Sequence, residues 1–147
     1  MADYYTNFSL ILRLANEAQR NEALQLAQQA SHVRGTDEPP ADFPEALRDV
    51  VENWFFETDP GQEATELRLH SDNGGIDAVC AFIQHLLVRF QPEGCVTFQW
   101  SHDCSQPRTD AYGGGAAVVT ASQIKTLTTA DWLREQTNLN PQPERKT

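Results

Sequence analysis

The densest run of chemically capable side chains lies between Trp100 and Gly115, where WSHDCSQPRTDAYGGG holds His102, Asp103, Cys104, Ser105, Arg108, Asp110 and Tyr112. Three chemistries suit those residue types. A thiol nucleophile at Cys104 would need a base within hydrogen-bond reach. In extended chain, residues two apart point to the same side, so His102 is the candidate base, with Asp103 or Asp110 to orient it. No established cysteine-enzyme signature surrounds them. A metal would draw on His102, Cys104 and Asp110 with His70 as a remote fourth ligand, but that spacing matches no standard zinc pattern, and no metal site is expected. An anion would meet the bidentate fork of Arg108, the backbone amides of Gly113, Gly114 and Gly115, and Tyr112 beside them. The GGG run precedes a strand pattern and lacks both the Walker lysine and the G-x-G-x-x-G context, so no cofactor is expected. Against all three stands an ordinary structural role. Asp103 and Asp110 would pair with Arg108 and backbone amides to shape a long connection, and the glycines would permit unusual φ angles or close backbone approach.

The second feature is charge. The chain has 147 residues, with 21 acids against 11 bases and a net charge of -10. Ten acids and the single base Arg48 fall between Asp37 and Glu66, a net of -9, while residues 1–36 sum to 0 and 67–147 to -1. Such a balance disfavours direct binding of nucleic-acid phosphates. A concentrated acidic segment speeds encounter with a basic partner and makes it salt-sensitive, which marks Asp42, Glu45, Asp49, Glu52, Glu57 and Glu63 as candidate partner contacts. The plainer reading is a solvated edge that confers solubility.

The elements that must position these groups follow from periodicity. Phe8, Leu10, Leu12 and Leu14 alternate as in a half-buried strand. Asn16 stands at an N-cap with Gln19 three residues on, predicting a helix over 17–33. Pro44 opens a short helix, and helix gives way to strand near 52–54. DPGQE makes a turn before a strand around Leu67 and Leu69. Asp72 or Asn73 is expected to cap a helix whose apolar stripe runs from Ile76 to Phe90, ended by Pro92 and Gly94. Off that stripe, His85 is expected to face solvent. Val96, Phe98 and Trp100 alternate as a strand, a loop runs to Gly115, and AAVVT is a buried strand. Thr120 and Gln123 form a T-x-x-Q capping box opening a helical turn at Ile124 and Leu127, and Thr128 or Thr129 caps a last helix.

The order β-α-(α)-β-β-α-β-β-α predicts an α+β two-layer sandwich of ferredoxin-like kind. Residues 1–137 are expected to form one domain, with 138–147 a disordered tail. No apolar run reaches the roughly 20 residues that span a bilayer, the N-terminus has no basic region or cleavage site, and three cysteines without C-x-x-C pairing suit free thiols in a reducing cytoplasm.

FQWSHDCSQPRTDAYGGGAAVVT, the short helices after it and the opening YYTNFSLILRL are similar to a family of short bacterial proteins, some found near phage or plasmid genes. No activity is established for that family, so the resemblance implies no catalytic residue. The expectation from the residues is a non-enzymatic acidic protein that binds a macromolecular partner, an inhibitor or immunity-type protein of a basic protein, with homodimerisation open. The alternative is a small-anion-binding or Cys/His catalytic protein centred on 100–115.

Overall fold

The computed structural model describes residues 3–34, 38–108 and 111–140. Among the described residues are six strands and four helices: β1 (Tyr4–Arg13), α1 (Glu17–Val33), α2 (Glu45–Arg48), a 3-10 turn over Val51–Asn53, β2 (Glu57–Pro60), β3 (Glu66–Ser71), α3 (Ile76–Phe90), β4 (Cys95–Cys104), β5 (Gly113–Thr120), β6 (Ile124–Thr128) and α4 (Thr129–Leu139). The class is α+β. All strand pairs are antiparallel, in the order β2-β3-β1-β4-β5-β6.

β1 is the hinge of the sheet. Its first half, Tyr4 to Asn7, pairs with β4, and its second half, Phe8 to Arg13, pairs with β3. The N-terminal end of β4 therefore splays from β1, and Gln91 Nε2 donates to Arg13 O (3.0 Å) beside the gap.

One sheet face is buried. Phe8, Leu12, Leu67, Leu69, Phe98, Trp100, Ala117 and Val119 point into a core shared with Ala23, Ala27 and Ala30 of α1 and with Val79, Phe82 and Ile83 of α3. The small alanines let α1 approach the sheet closely, while the larger stripe of α3 fills the volume between. An aromatic chain crosses this core: Trp54 lies 4.6 Å from Phe56 and 5.3 Å from Phe82, and Phe8 links Phe56 (6.5 Å) to Phe98 (5.8 Å). On the other face the alternating positions Ser9, Ile11, Arg13, Arg68, Gln99, Ser101, Ala116 and Val118 are exposed.

Local chemistry explains the boundaries. Asn16 Oδ1 accepts from Gln19 N–H (2.9 Å), and Gln19 Oε1 accepts from Ala15 N–H (3.2 Å), so the reciprocal bond reaches one residue further back than a capping box. α3 starts differently from the sequence expectation. Its N-cap is Gly75, at φ 77°, not Asp72 or Asn73. A Cβ there would press on Asn53 O and Phe55 N, so glycine both supplies the left-handed turn and admits the 3-10 segment.

Three further expectations are corrected. The strand expected to end near Trp100 continues to Cys104, because its polar half pairs with the start of β1. The glycines fall inside β5 rather than in a loop. Thr120 and Gln123 do not open a helix. They close the β5–β6 hairpin, with Thr120 N–H donating to Gln123 O (2.8 Å) and Gln123 N–H donating to Thr120 Oγ1 (3.1 Å), and Ile124–Thr128 is a strand. The element order thus carries one strand more than expected. α4 reaches Leu139, past the expected domain end at residue 137, while 141–147 lie outside the described residues.

Candidate functional site

The residues of the 98–115 segment are distributed, not gathered. His102 and Cys104 sit on one side of β4, as their spacing requires, but a two-residue strand step separates them by about 7 Å. His102 Nδ1 is instead within 2.8 Å of Thr6 Oγ1 on β1. Asp103 accepts from Asn7 Nδ2 (3.3 Å), and Ser105 exchanges bonds with the Asp3 backbone (2.8 Å each way). These contacts stitch β1 to β4. Arg108 is exposed on the connecting loop, Tyr112 is exposed beside it, and Asp110 lies outside the described residues.

Gly113, Gly114 and Gly115 stand opposite His102, Ser101 and Trp100 in the ladder. Gly114 N–H donates to Thr129 Oγ1 (3.0 Å), which ties β5 to the first residue of α4. Glycine is needed at 114, where a Cβ would overlap Trp100 O, and at 115, where it would overlap the Trp100 indole and Leu127 O. The ring of Trp100 lies across the strand there, and the missing side chain makes room for it.

The acidic segment has a different geometry. Asp42 precedes α2, Glu45 is on it, Asp49 and Glu52 follow, Glu57 is on the edge strand β2 and Glu63 is in the turn before β3; all six are exposed. Among the described residues, Glu45 pairs with Arg48 Nε (3.1 Å) and Glu57 stands 3.8 Å from His70 Nε2. One acid of the run is structural. Glu66 is 8 % exposed, meets Arg13 Nε at 3.3 Å and accepts from Glu63 N–H (3.1 Å), so it holds the β2–β3 turn closed.

Beside this edge, on the bare face, lies a feature that the sequence reading left undeveloped. β2 and β3 set Glu57 opposite His70 and Asp59 opposite Arg68. His70 Nε2 is 2.6 Å from Asp59 Oδ2, and Arg68 Nε reaches Ser9 Oγ at 3.5 Å. Of these, Ser9, Glu57, Arg68 and His70 line an open groove of about 660 Å³ together with Asn7, Ser71 and Asp72. The signal was available in the hairpin itself, since acids at 57 and 59 must face bases at 68 and 70 once DPGQE turns the chain.

A second groove, of about 590 Å³, lies on the helical side between α1 and α3, with Asp42 and Pro44 at its rim. His85 lines it, half-buried, where the sequence predicted a solvent-facing side chain. Burial, then the nearby Arg89, hold its imidazole below the usual histidine range, against a smaller opposing pull from Glu22. Glu22 and Arg89 form a two-point ion pair across the helices, and that hydrogen bond lowers the Glu22 carboxyl. Among the described residues no group of three or more His, Cys, Asp or Glu side chains is placed to hold a metal, and no helix is long and apolar enough to cross a membrane.

No family model, no curated protein and no solved structure matches the chain.

Proposed function

We propose that the chain is a non-enzymatic binding protein whose acidic edge engages a basic protein partner. The observation that carries this reading is the concentration of charge. Six exposed carboxylates follow one another along α2, the 3-10 segment, β2 and the β2–β3 turn, in a segment whose one base, Arg48, is already paired. Exposed acids in such excess over bases, on ordered elements, attract a complementary surface at long range and set its register on contact. The neighbouring groove adds Glu57 and Asp72 beside His70 and Arg68, carboxylates that can accept from an arginine or lysine side chain of that partner.

We infer likewise a finer description of the fold. The β1-α1-β2-β3-α3-β4 portion, with sheet order β2-β3-β1-β4, supports a two-layer sandwich of ferredoxin-like kind, extended by the β5–β6 hairpin. Free thiols and net charge support a cytoplasmic setting, and the resemblance to proteins encoded near phage or plasmid genes supports an inhibitor or immunity-type role.

The test is capture from the native host's lysate at low and high salt, alongside a variant with Asp42, Glu45, Asp49, Glu52, Glu57 and Glu63 converted to the amides. A basic protein retained by the wild type, released by salt and lost in the variant is the expected result. Identical captures by the two proteins would reduce the acids to solubilising groups.

A further inference from the structure

We infer that two copies of this chain join edge to edge through β6, forming one continuous antiparallel sheet in which each α4 starts beside the other copy's β5–β6 turn. The inference stands apart from the acidic-edge reading and uses the opposite end of the sheet.

The first observation is that α4 has no core of its own. It contributes no buried residue, and Trp132, Leu133 and Leu139 are 49 %, 57 % and 68 % exposed. Isolated helices shorter than about 12–15 residues are marginal in water, and α4 has 11. The Thr128 cap on Asp131 N–H and the Thr129–Gly114 bond anchor only its first turn. Ile124 and Leu127 of β6, and Val118 next to it, are exposed as well.

The second observation is the phase of the edge. Thr120 N–H to Gln123 O closes the hairpin as a hydrogen-bonded pair. Antiparallel ladders alternate bonded and non-bonded pairs, so Lys125 and Leu127 turn their backbone groups toward β5. Ile124 and Thr126 then aim their N–H and C=O groups at the open edge, and Thr128 aims its N–H there while its C=O accepts the first bond of α4. A two-fold axis at Thr126 sets Thr126 against Thr126 of the second copy, with a bond each way, and Ile124 against Thr128, where the Thr128 N–H donates to the Ile124 C=O. Lys125 falls opposite Leu127, so no like charges meet. The strand is self-complementary about its own centre, which is what an isologous interface demands.

The third observation decides the occupant. A second copy brings a net charge of -10, and it can approach only where acid does not face acid. Residues 113–140 carry two acids and two bases, and Asp131 and Arg134 already pair at 2.9 Å. The acidic edge lies across the sheet, with β3, β1, β4 and β5 between β2 and β6. Joining through β6 keeps the two acidic edges at the far ends of a twelve-stranded sheet.

The experiment is sedimentation of the full chain across a range of concentrations, with three variants, Thr126→Pro, Thr126→Cys and Trp132→Glu. Thr126→Pro deletes an N–H that β5 does not use, which an edge strand tolerates, so the hairpin is kept and the joint is lost. Thr126→Cys, in a background with Cys95 and Cys104 changed to serine, should form an intermolecular disulfide on mild oxidation, because bonded antiparallel pairs stand about 5.5 Å apart at Cα, within disulfide range. The expected result is a wild-type dimer, a folded Thr126→Pro monomer with an unchanged circular dichroism spectrum, and crosslinking of the cysteine variant. A wild-type chain that stays monomeric at millimolar concentration overturns the inference and leaves the edge for a foreign strand. A dimer that survives both Thr126→Pro and Trp132→Glu also overturns it, since the contact must then lie elsewhere.

Discussion

At one edge of the sheet β2 is four residues long, ends in Pro60 and carries Glu57 and Asp59; at the other β6 is five residues long and carries one charge, Lys125. Short length, proline and charge are the ordinary devices that keep an edge from pairing with another chain. The β2 edge uses all three. Its acids face His70 across the ladder and, with those of α2 and the turns, leave this side of the molecule negative. The β6 edge uses few of them, and the apolar side chains of the helix that follows are left exposed. The two proposals thus assign two edges of one sheet, closed over the same aromatic core, to different encounters: one by field, the other by backbone and apolar contact.

The comparison can be broken most forcefully through the core the two edges share. Trp54 lies under the acidic side and Phe98 under the neutral side, joined through Phe56 and Phe8. Trp54→Ala and Phe98→Ala should each cost about 3–5 kcal/mol, read by denaturant unfolding with circular dichroism and tryptophan fluorescence together. Both should shift one common transition. Separate transitions would mean that the half-sheets on either side of β1 unfold independently.

Gly115→Ala tests the neutral side alone. Overpacking against the Trp100 indole should cost about 1–3 kcal/mol and weaken any β6-mediated dimer, while salt-sensitive partner capture at the acidic edge survives. Loss of both functions together would show that the edges are coupled.

Neutralising the six exposed carboxylates should raise the melting temperature by a small amount at low salt and by less at high salt, because self-repulsion is relieved and then screened. A stability loss would instead reveal that some of these acids hold structure, as Glu66 does.

The pH response separates the grooves. His85 has its pKa lowered in the folded chain, so the unfolded chain binds its proton first as pH falls. The stability it contributes is complete above the unfolded value of about 6.5 and is lost as pH falls through the lowered folded value. Glu22 acts in the same sense at more acid pH. His85→Asn should flatten the first part of that slope in urea titrations from pH 8 to 5, and an unchanged slope would assign it to another group.

The smallest effect is on thiols. Burial, aided by Asp77, pushes Cys80 up to about 11, so alkylation should label exposed Cys95 at once and Cys80 only as the chain unfolds. Prompt labelling of Cys80 would mean that α3 opens locally.

Much of this was legible in the amino-acid order. Asn16 and Gln19 placed the start of α1, and the stripe from Ile76 to Phe90 placed α3, because both signals act between residues three and four apart on one helix. The acidic run needed no structure to be seen. The T-x-x-Q pattern misled because a threonine hydroxyl accepting the amide three residues on serves a hairpin turn as well as a helix cap. The segment 101–104 looked like loop because its residues are polar. Its strand state is imposed by Tyr4 to Asn7, nearly a hundred residues away.

By itself, then, the sequence determined what local forces decide: the two long helices, the alternating strands, the turn at DPGQE and the placement of charge. Only the tertiary structure decided that His102 answers to Thr6 rather than Cys104, that glycine at 115 makes room for Trp100, and which strands stand unpaired at the edges. Those outcomes depend on which distant segments share a ladder, and ladder partners are chosen by burial of the whole sheet face, a quantity no short stretch of residues contains.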